Sequence, residues 1–295
     1  MIYAFIAERC SDLPVAVCCR VMKVSTSGYY QRLAAPVTDR ERDEADRANV
    51  VFDIWKMSRH SYGSPRVRKE LRLGRLEGCS KTTAERLMRI CGAVGIHYKR
   101  NRGCTRRGDG ETASDLVNRC FDPAEPDRLW CMDITEHPTG EGKVYCAVVL
   151  DAFSRRVVGW SIADHIRAEL VADAIQMAAW RRRPPEGQTI AHSDHGSQYT
   201  SWLFGNRLRG AGLLGSMGTI GDCYDNSVAE AFFATLQREL LDQHHWHTRQ
   251  QLALAIFDWI ETWYNPHRRH SYCDGLSPAD YEAAGESGSS TEIAA

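Results

Sequence analysis

The stretch Leu-Trp-Cys-Met-Asp-Ile-Thr at residues 129–135 decides the fold of the larger part of the chain. Its side chains alternate, with Trp130, Met132 and Ile134 on one face and Asp133 on the other. A period of two residues is typical of a β-strand, because successive side chains of a strand point to opposite faces. The sequence therefore predicts a strand that carries one carboxylate.

Apolar and amphipathic stretches alternate along the chain on the C-terminal side of this strand. Residues 144–150 are apolar throughout, as in a strand that is buried on both faces. Further strands are predicted at 157–162, 189–193 and 213–217, and helices at 169–180, 198–208, 227–241 and 250–264. Three strands followed by alternating helices and strands indicate an α/β fold, with a mixed five-stranded sheet flanked by helices.

Two further carboxylates lie beside predicted elements of this region. Asp194 falls at the end of a short strand and Glu230 where a helix begins, with 35 residues between them. Mg²⁺ and Mn²⁺ prefer oxygen ligands, and a pair of such ions suits phosphoryl transfer. Together with Asp133 these residues are candidates for a two-metal site, although each taken alone is more often a cap or a surface residue.

The first part of the chain is predicted to be all-α. Residues 1–36 contain two short helices joined by a tight turn, which is typical of a helix-turn-helix unit. Ser25 or Thr26 is expected to cap the second of these helices. Many helical hairpins share this pattern, so the signal is weak by itself.

A second helix-turn-helix unit is predicted at residues 37–97, beginning with a charged helix over 39–58. Ser80 is expected to cap its last helix, and Thr82 and Glu85 have the spacing of a capping box. Basic side chains on the preceding helix would contact DNA phosphates, with a solvated surface as the alternative. These candidate contacts are Arg66, Arg68, Lys69 and Arg72.

The remaining boundaries follow from composition. Residues 98–125 are basic and contain glycines, which predicts a flexible linker that tracks a DNA backbone through Arg100, Arg106 and Arg107. The α/β domain with its C-terminal helices is expected to span 126–284. Residues 285–295 are rich in Gly, Ser and Glu and are predicted to be a disordered tail.

Charge is distributed unevenly between the two parts of the chain. Residues 1–120 contain 23 Lys and Arg against 14 Asp and Glu, whereas the rest contains 14 against 24. A basic half beside an acidic half indicates a polyanion-binding region joined to a carboxylate-rich site, although two ordinary domains could differ in this way.

Composition indicates a globular chain. The longest apolar run is too short to span a bilayer, and the N-terminus lacks the pattern of a signal peptide, so we expect a cytoplasmic protein with no membrane partner. The 11 cysteines include no Cys-x-x-Cys pair, which favours reduced cysteines in the core over disulfides or zinc ligands.

Six motifs carry a family resemblance. They are Trp-Cys-Met-Asp-Ile-Thr (130–135), Val-Val-Leu-Asp-Ala-Phe-Ser-Arg-Arg-Val-Val-Gly-Trp (148–160), His-Ser-Asp-His-Gly-Ser-Gln-Tyr (192–199), Asp-Asn-Ser-Val-Ala-Glu-Ala-Phe-Phe-Ala-Thr-Leu (225–236), Tyr-Asn-Pro-His-Arg-Arg-His (264–270) and Leu-Ser-Pro-Ala-Asp-Tyr (276–281). Residues 126–281 resemble the retroviral-integrase-like core of DDE transposases. With Tyr-Gly-Ser-Pro-Arg (62–66), nearly the whole chain resembles the OrfB-type transposases of two-frame bacterial insertion sequences.

This resemblance implies an RNase H-like fold and a DNA transposase, an enzyme of the polynucleotidyl transferase and endonuclease class. It maps the catalytic and metal-binding triad onto Asp133, Asp194 and Glu230, with two Mg²⁺ or Mn²⁺ ions per active site. The implied reactions are cleavage of a phosphodiester at the element end and transfer of the freed strand to target DNA. A helix-turn-helix regulator derived from a transposase and a nuclease for RNA–DNA hybrids are the alternatives.

One position departs from the family pattern. The family usually has Lys or Arg seven residues after the catalytic Glu, and here that residue is Gln237. Seven residues are nearly two helical turns, so Gln237 is expected on the face of Glu230, with Arg238 turned about 100° away. Either Arg238 compensates as a DNA contact or this chain binds DNA more weakly.

The remaining candidates are less certain in role. Asp151 is expected to be structural, although its strand neighbours that of Asp133. His192 and His195 flank Asp194 and are candidate DNA contacts or packed residues. The short basic segment after residue 264 adds Arg268 and Arg269 as candidate DNA contacts.

The resemblance also bears on partners. Double-stranded DNA, both as element ends and as target, is the expected substrate, and the location would be the bacterial cytoplasm at the nucleoid. Joining two ends requires at least a dimer during reaction. Family members are often made as a frameshift fusion with an upstream helix-turn-helix protein, so this chain is expected to act alone or as the catalytic half of such a fusion.

Overall fold

The computed structural model describes residues 2–35, 37–74, 79–96, 122–194, 198–217 and 226–292. The chain divides into two compact units, Met1–Gly95 and Ile96–Ala295. Both predicted helical regions fall in the first unit, and the predicted α/β domain falls in the second. No helix in the described part of the chain is both long and apolar enough to cross a membrane.

The first unit opens with three short helices, α1 (Ile2–Arg9), α2 (Val15–Val21) and α3 (Thr26–Ala34). They pack through a small core of Ile6, Cys18, Cys19 and Tyr29. The predicted cap of α3 is confirmed at Ser25, whose Oγ accepts from the Gly28 N–H at 3.0 Å.

Three longer helices complete this unit: α4 (Asp39–Met57), α5 (Ser64–Gly74) and α6 (Lys81–Ile90). Thr38 and Glu41 form a capping box at the start of α4. The predicted cap of α6 is confirmed, since Ser80 Oγ accepts from the Thr83 N–H at 3.1 Å. The predicted capping box between Thr82 and Glu85 is wrong, because Ser80 already holds the capping position and Thr82 lies inside the helix.

The second unit contains the predicted mixed five-stranded sheet, which confirms the RNase H-like fold class. Its strands are β1 (Leu129–Thr139), β2 (Gly142–Asp151), β3 (Val157–Ala163), β4 (Ile190–Ser193) and β5 (Leu214–Met217), in the order β3-β2-β1-β4-β5. The pairs β1–β2 and β2–β3 are antiparallel, and β1–β4 and β4–β5 are parallel. β1 is longer than predicted because it continues into a hairpin with β2.

Helices cover this sheet: α7 (Ala168–Arg182), α8 (Trp202–Gly210), α9 (Ser227–Glu239), α10 (Arg249–Asp258) and α11 (Pro278–Glu292). A π-helix, Trp259–Tyr264, continues α10. Helix α7 approaches β3 so closely that a Cβ at Gly159 would lie 2.2 Å from the Ala174 carbonyl oxygen. Only glycine fits that strand position without moving the helix.

Two further predicted boundaries differ from the structure by several residues. Helix α8 begins at Trp202 rather than 198, because Ser201 caps it by accepting from the Phe204 N–H at 3.2 Å. The helical backbone of α11 extends to Glu292, so residues 285–292 are helical and not the disordered tail that was predicted. Residues 278–284 already form the first turns of α11, and adding residues to an existing helix is easier than starting one.

The cysteines agree with the prediction of reduced thiols. Eight of the 11 lie in the described part of the chain, and all eight are free. Six of them are buried, including Cys131 and Cys146 on the central strands. Burial raises the pKa of both of these thiols to about 12, which keeps them neutral and unreactive.

Candidate active site

Asp133 lies in the middle of the sheet, on β1, paired with Val148 of β2. Its Oδ1 accepts from the Ile134 N–H at 2.8 Å. Burial is the main cause that raises its pKa to about 6, and the negative charges of Asp194 and Glu230 raise it further. Both of these carboxylates therefore act electrostatically on Asp133.

Asp194 directly follows β4, the parallel neighbour of β1. The paired residues of the two strands end at Cys131 and His192. Continuing the same register by two residues brings Asp194 level with Asp133. Asp194, just beyond the end of β4, is therefore expected beside Asp133, which lies within the longer strand β1.

Glu230 is exposed and lies in the first turn of α9. Asn226, the residue before this helix, is 9% exposed, and its amide donates to the Met132 carbonyl oxygen at 3.0 Å. The Asn226 carbonyl in turn accepts the Glu230 N–H at 3.0 Å. The start of α9 is thereby tied to β1 at the residue next to Asp133.

Asn226 was missed as a site residue, because its bond to β1 spans 94 residues. The sequence did offer one signal for it. An asparagine stands at the predicted helix start, one turn before the candidate Glu230. In this helix the asparagine side chain makes no capping hydrogen bond. Its amide bonds to a strand instead of to the free N–H groups of α9.

Tyr199 is a second residue to which the sequence assigned no role. It is 3% exposed, and its ring packs edge-on against Phe204 with centroids 5.4 Å apart. Burial and the charges of Asp133 and Asp194 raise its pKa well above the usual value. Among the described residues its hydroxyl has no hydrogen-bond partner.

The donor chemistry of the three acids fits a hard divalent cation. Carboxylate oxygens are the ligands that Mg²⁺ and Mn²⁺ prefer, and a bound cation would reverse the effect that raises the Asp133 pKa. Within residues 122–194, 198–217 and 226–292 no group of three His, Cys, Asp or Glu side chains is close enough to hold an ion. The chemistry of the three acids therefore fits a divalent cation.

Asp151 lies in a separate ionic network. It is fully buried, and its carboxylate accepts from the Asp127 N–H at 2.6 Å and the Ser154 N–H at 2.9 Å. Ser154 Oγ donates to Glu282 of α11 at 2.7 Å, and Glu282 also pairs with Arg156 and Arg182. This arrangement agrees with the structural role expected for Asp151.

Two predicted DNA contacts are mostly buried and form ion pairs with acidic side chains. Arg268 is 2% exposed and forms a two-pronged ion pair with Glu239, at 2.8 and 2.7 Å. Arg269 pairs with Asp280 at 3.0 Å, and only 17% of its side chain is exposed. The assignment of Arg268 to DNA is corrected, because a buried guanidinium in this pair cannot reach a phosphate.

The other candidates near the acids have local partners. The Gln237 amide donates to Asp242, and the Arg238 carbonyl accepts from Gln243. His192 is 1% exposed and shares a hydrogen bond of 3.0 Å with Ser216 of β5, so it is packed inside the sheet. His195 lies outside the described residues.

The candidate DNA contacts of the first unit differ in environment. Arg72 is exposed, and Lys69 is half-buried. The Arg66 guanidinium lies over the Tyr62 ring, 5.6 Å from its centroid, and Arg68 Nε donates to the Cys79 carbonyl at 3.2 Å. Arg100, Arg106 and Arg107 lie outside the described residues.

Comparison with protein families agrees with this architecture. Two models described as "Integrase core domain" match residues 123–223 and 230–284, and one described as "HTH-like domain" matches 41–101. Solved structures that resemble the chain include the catalytic core of BIV integrase (TM-score 0.41, 21% identity, 55% of this chain and 98% of that one). The HTLV-2 integrase catalytic core in complex with magnesium also resembles it (TM-score 0.41, 16% identity, 54% and 98%). The fold and matched domains thus define an integrase-core protein with a helix-turn-helix-like domain.

Sequence relatives define the family more narrowly. The chain is 36% identical over 288 residues to "Transposase InsF for insertion sequence IS3A" of Escherichia coli (strain K12), covering 96% of this chain and 98% of that protein. It is 39% identical over 240 residues to "Transposase for insertion sequence element IS904" of Lactococcus lactis subsp. lactis (strain IL1403), covering 81% and 92%. The chain belongs to the IS3 family of insertion-sequence transposases.

Proposed function

We propose that this transposase cuts a phosphodiester at each end of its insertion sequence and joins the freed strand to target DNA, with Asp133, Asp194 and Glu230 as the catalytic acids. The observation that carries the proposal is that the parallel register of β1 and β4 brings Asp194 level with Asp133, while the bond from Asn226 to Met132 ties the start of α9 to β1. The raised pKa of Asp133, to which Asp194 and Glu230 contribute, supports it. Mutually repelling acids gathered on rigid elements are what a cation-dependent phosphoryl-transfer site requires.

The residues of the site would have separate roles in metal binding and in positioning. Asp133, Asp194 and Glu230 would hold two Mg²⁺ or Mn²⁺ ions, which supply the charge that activates an attacking oxygen and stabilises the leaving oxygen. Strand β1 keeps Asp133 rigid, and Asn226 holds the first turn of α9 against this strand. Hydrolysis frees a 3′-hydroxyl, and attack by that hydroxyl on a second phosphodiester is the same in-line displacement, so one site serves both steps.

The first unit would bind double-stranded DNA. The matched helix-turn-helix-like domain and the excess of basic residues before residue 121 support this proposal. Because phosphate contacts release counterions, affinity should fall steeply with salt concentration. The chain would act on DNA in the bacterial cytoplasm as a homo-oligomer that holds two ends, alone or fused to an upstream helix-turn-helix protein.

A cleavage and joining assay with Glu230→Gln tests the catalytic assignment. Purified chain would be mixed with labelled element-end DNA in Mg²⁺, Mn²⁺ or chelator. We expect wild type to give metal-dependent products and Glu230→Gln to lose about 1000-fold or more in rate, because a metal ligand contributes several kcal/mol. DNA binding, measured in parallel, should be unchanged.

Glu169→Gln is the matched control. Like Glu230, Glu169 is exposed and lies in the first turn of a helix, α7. Its replacement should leave cleavage intact. Strand transfer that survives in Glu230→Gln would refute the catalytic role, and DNA binding with no product from wild type would favour a regulator.

A further inference from the structure

Tyr199 belongs to the buried hydrophobic core of the second unit. Its ring packs in the same cluster as Met132, which precedes Asp133, and Ala191, which lies on the strand that leads to Asp194. Five residues separate Tyr199 from Asp194 along the chain. The ring therefore belongs to a buried core that includes residues of β1 and of β4, the strand that Asp194 follows.

The Tyr199 hydroxyl is not explained by this packing. It is buried, and among the described residues it has no hydrogen-bond partner. A buried polar group without a partner lowers stability, whereas a phenylalanine would fill the same space without that cost. A hydroxyl kept at such a position is expected to have a partner in another state of the site.

The carboxylates are the groups whose chemistry suits this hydroxyl. Asp133 and Asp194 are the charged groups that act on it. A tyrosine hydroxyl is protonated at neutral pH, so it can donate a hydrogen bond, and a carboxylate oxygen can accept it.

We propose that Tyr199 is a positioning residue whose hydroxyl donates to the Asp133–Asp194 carboxylate pair when divalent cations bind there. The inference rests on the proposed function. The hydrogen bond would fix one carboxylate oxygen and leave the remaining oxygens facing the ions. Hydrogen bonds of this kind orient metal ligands, and their loss typically weakens metal binding about 10- to 100-fold.

The test is Tyr199→Phe in the full chain, with Mn²⁺ as the probe. Free Mn²⁺ would be followed by its electron paramagnetic resonance signal to give the Kd, and the Tm would be measured in chelator. We expect the Kd for Mn²⁺ to rise about 10-fold or more and the metal-free Tm to stay the same or increase. An unchanged Kd would overturn the inference. So would a lower metal-free Tm, since the hydroxyl would then already have a structural partner.

Tyr264→Phe is the matched control. This tyrosine is equally buried, but its hydroxyl donates to the Arg155 carbonyl oxygen at 2.9 Å. Its replacement should lower the metal-free Tm and leave the Kd for Mn²⁺ unchanged.

Asp133→Asn tests whether the measured Mn²⁺ binds at the candidate active site, and it should abolish that binding. If wild type bound no Mn²⁺, or Asp133→Asn bound it equally well, the proposed function and the role of Tyr199 would both fail. Wild-type binding that depends on Asp133 but not on the Tyr199 hydroxyl would overturn only the positioning role.

Discussion

Asp133 and Asp151 lie on adjacent strands of one sheet, and burial raises the pKa of each to about 6. Each acid faces two further carboxylates, and their surroundings differ in the groups that compensate this negative charge. Asp151 accepts two backbone N–H groups and the Ser154 hydroxyl, beside a network that includes two arginines. Asp133 accepts one backbone N–H and faces two more carboxylates.

The comparison shows that a raised pKa does not by itself identify a functional acid. What differs is the balance of charge and donors around it. In the network of Asp151, arginines and hydroxyl donors neutralise the acids, and the result is that α11 is held to the sheet. Around Asp133 the acids repel one another, which lowers stability unless a cation binds.

Glu282→Gln should produce the largest loss of stability. Glu282 is 5% exposed and accepts from Ser154, Arg156 and Arg182. Removing its charge leaves the partly buried Arg182 undercompensated, so we expect the free energy of unfolding to fall by about 3 kcal/mol in urea titrations. The Kd for Mn²⁺ should not change, because this network is separate from Asp133.

Asp280→Asn on the same helix is the control for this loss. Asp280 pairs with Arg269, but about half of its side chain is exposed (52%). An exposed pair contributes about 1 kcal/mol or less. If both substitutions cost the same, the network of Glu282 does not hold α11 to the sheet.

Asp133→Asn should raise the stability of the metal-free chain, whereas Glu282→Gln should lower it. The folded state favours the protonated acid, whose pKa is about 6 against an ordinary value of 3.8. The stability that this acid contributes is present below pH 4 and is lost as pH rises through about 6. We therefore expect Asn to stabilise by about 1–3 kcal/mol at pH 7, with no gain below pH 4.

Urea titrations in chelator from pH 4 to 7 would measure this gain in stability. The variant Asp151→Asn provides the comparison. An amide nitrogen in place of a carboxylate oxygen of Asp151 cannot accept from the N–H groups that hold this side chain, so the variant should be less stable at every pH. A gain in both variants, or in neither, would mean that the two acids do not differ as their surroundings indicate.

The sequence was sufficient for the elements whose signal is local. The alternation of residues 129–135 predicted β1 and the face of Asp133, and Ser25 and Ser80 predicted two helix starts. The order of the strands and the grouping of three acids were less accessible. They depended on resemblance to a family, because periodicity does not reveal which strands pair.

The failures share one physical cause, which is that burial depends on distant residues. Arg268 belongs to a basic segment in the sequence, but Glu239 neutralises it from 29 residues away. Asn226 and Tyr199 were overlooked because their surroundings are formed by β1 and β4. Thr82 and Ser80 were both plausible caps, and only the backbone decides between them.

Asn226→Ala should have a smaller effect on stability than Glu282→Gln, and it tests whether the bond of Asn226 to β1 positions the site. The loss of its bond to the Met132 carbonyl should cost about 1–2 kcal/mol. Because this bond holds the turn of Glu230 beside Asp133, we also expect the Kd for Mn²⁺ to rise about 10-fold. Urea titration and Mn²⁺ binding would measure the two effects separately.

Asn265→Ala is the matched control for Asn226→Ala. Asn265 is also a buried asparagine tied to a strand, since its side chain accepts from the Val157 N–H at 2.9 Å and donates to the Val157 carbonyl at 3.0 Å. Its loss should cost at least as much stability, because two hydrogen bonds are broken instead of one. Val157 begins the edge strand β3, which lies on the far side of β2 from β1, so Mn²⁺ binding should be retained. If both variants weakened Mn²⁺ binding equally, the effect would follow general loss of stability, and Asn226 would have no special part in placing Glu230.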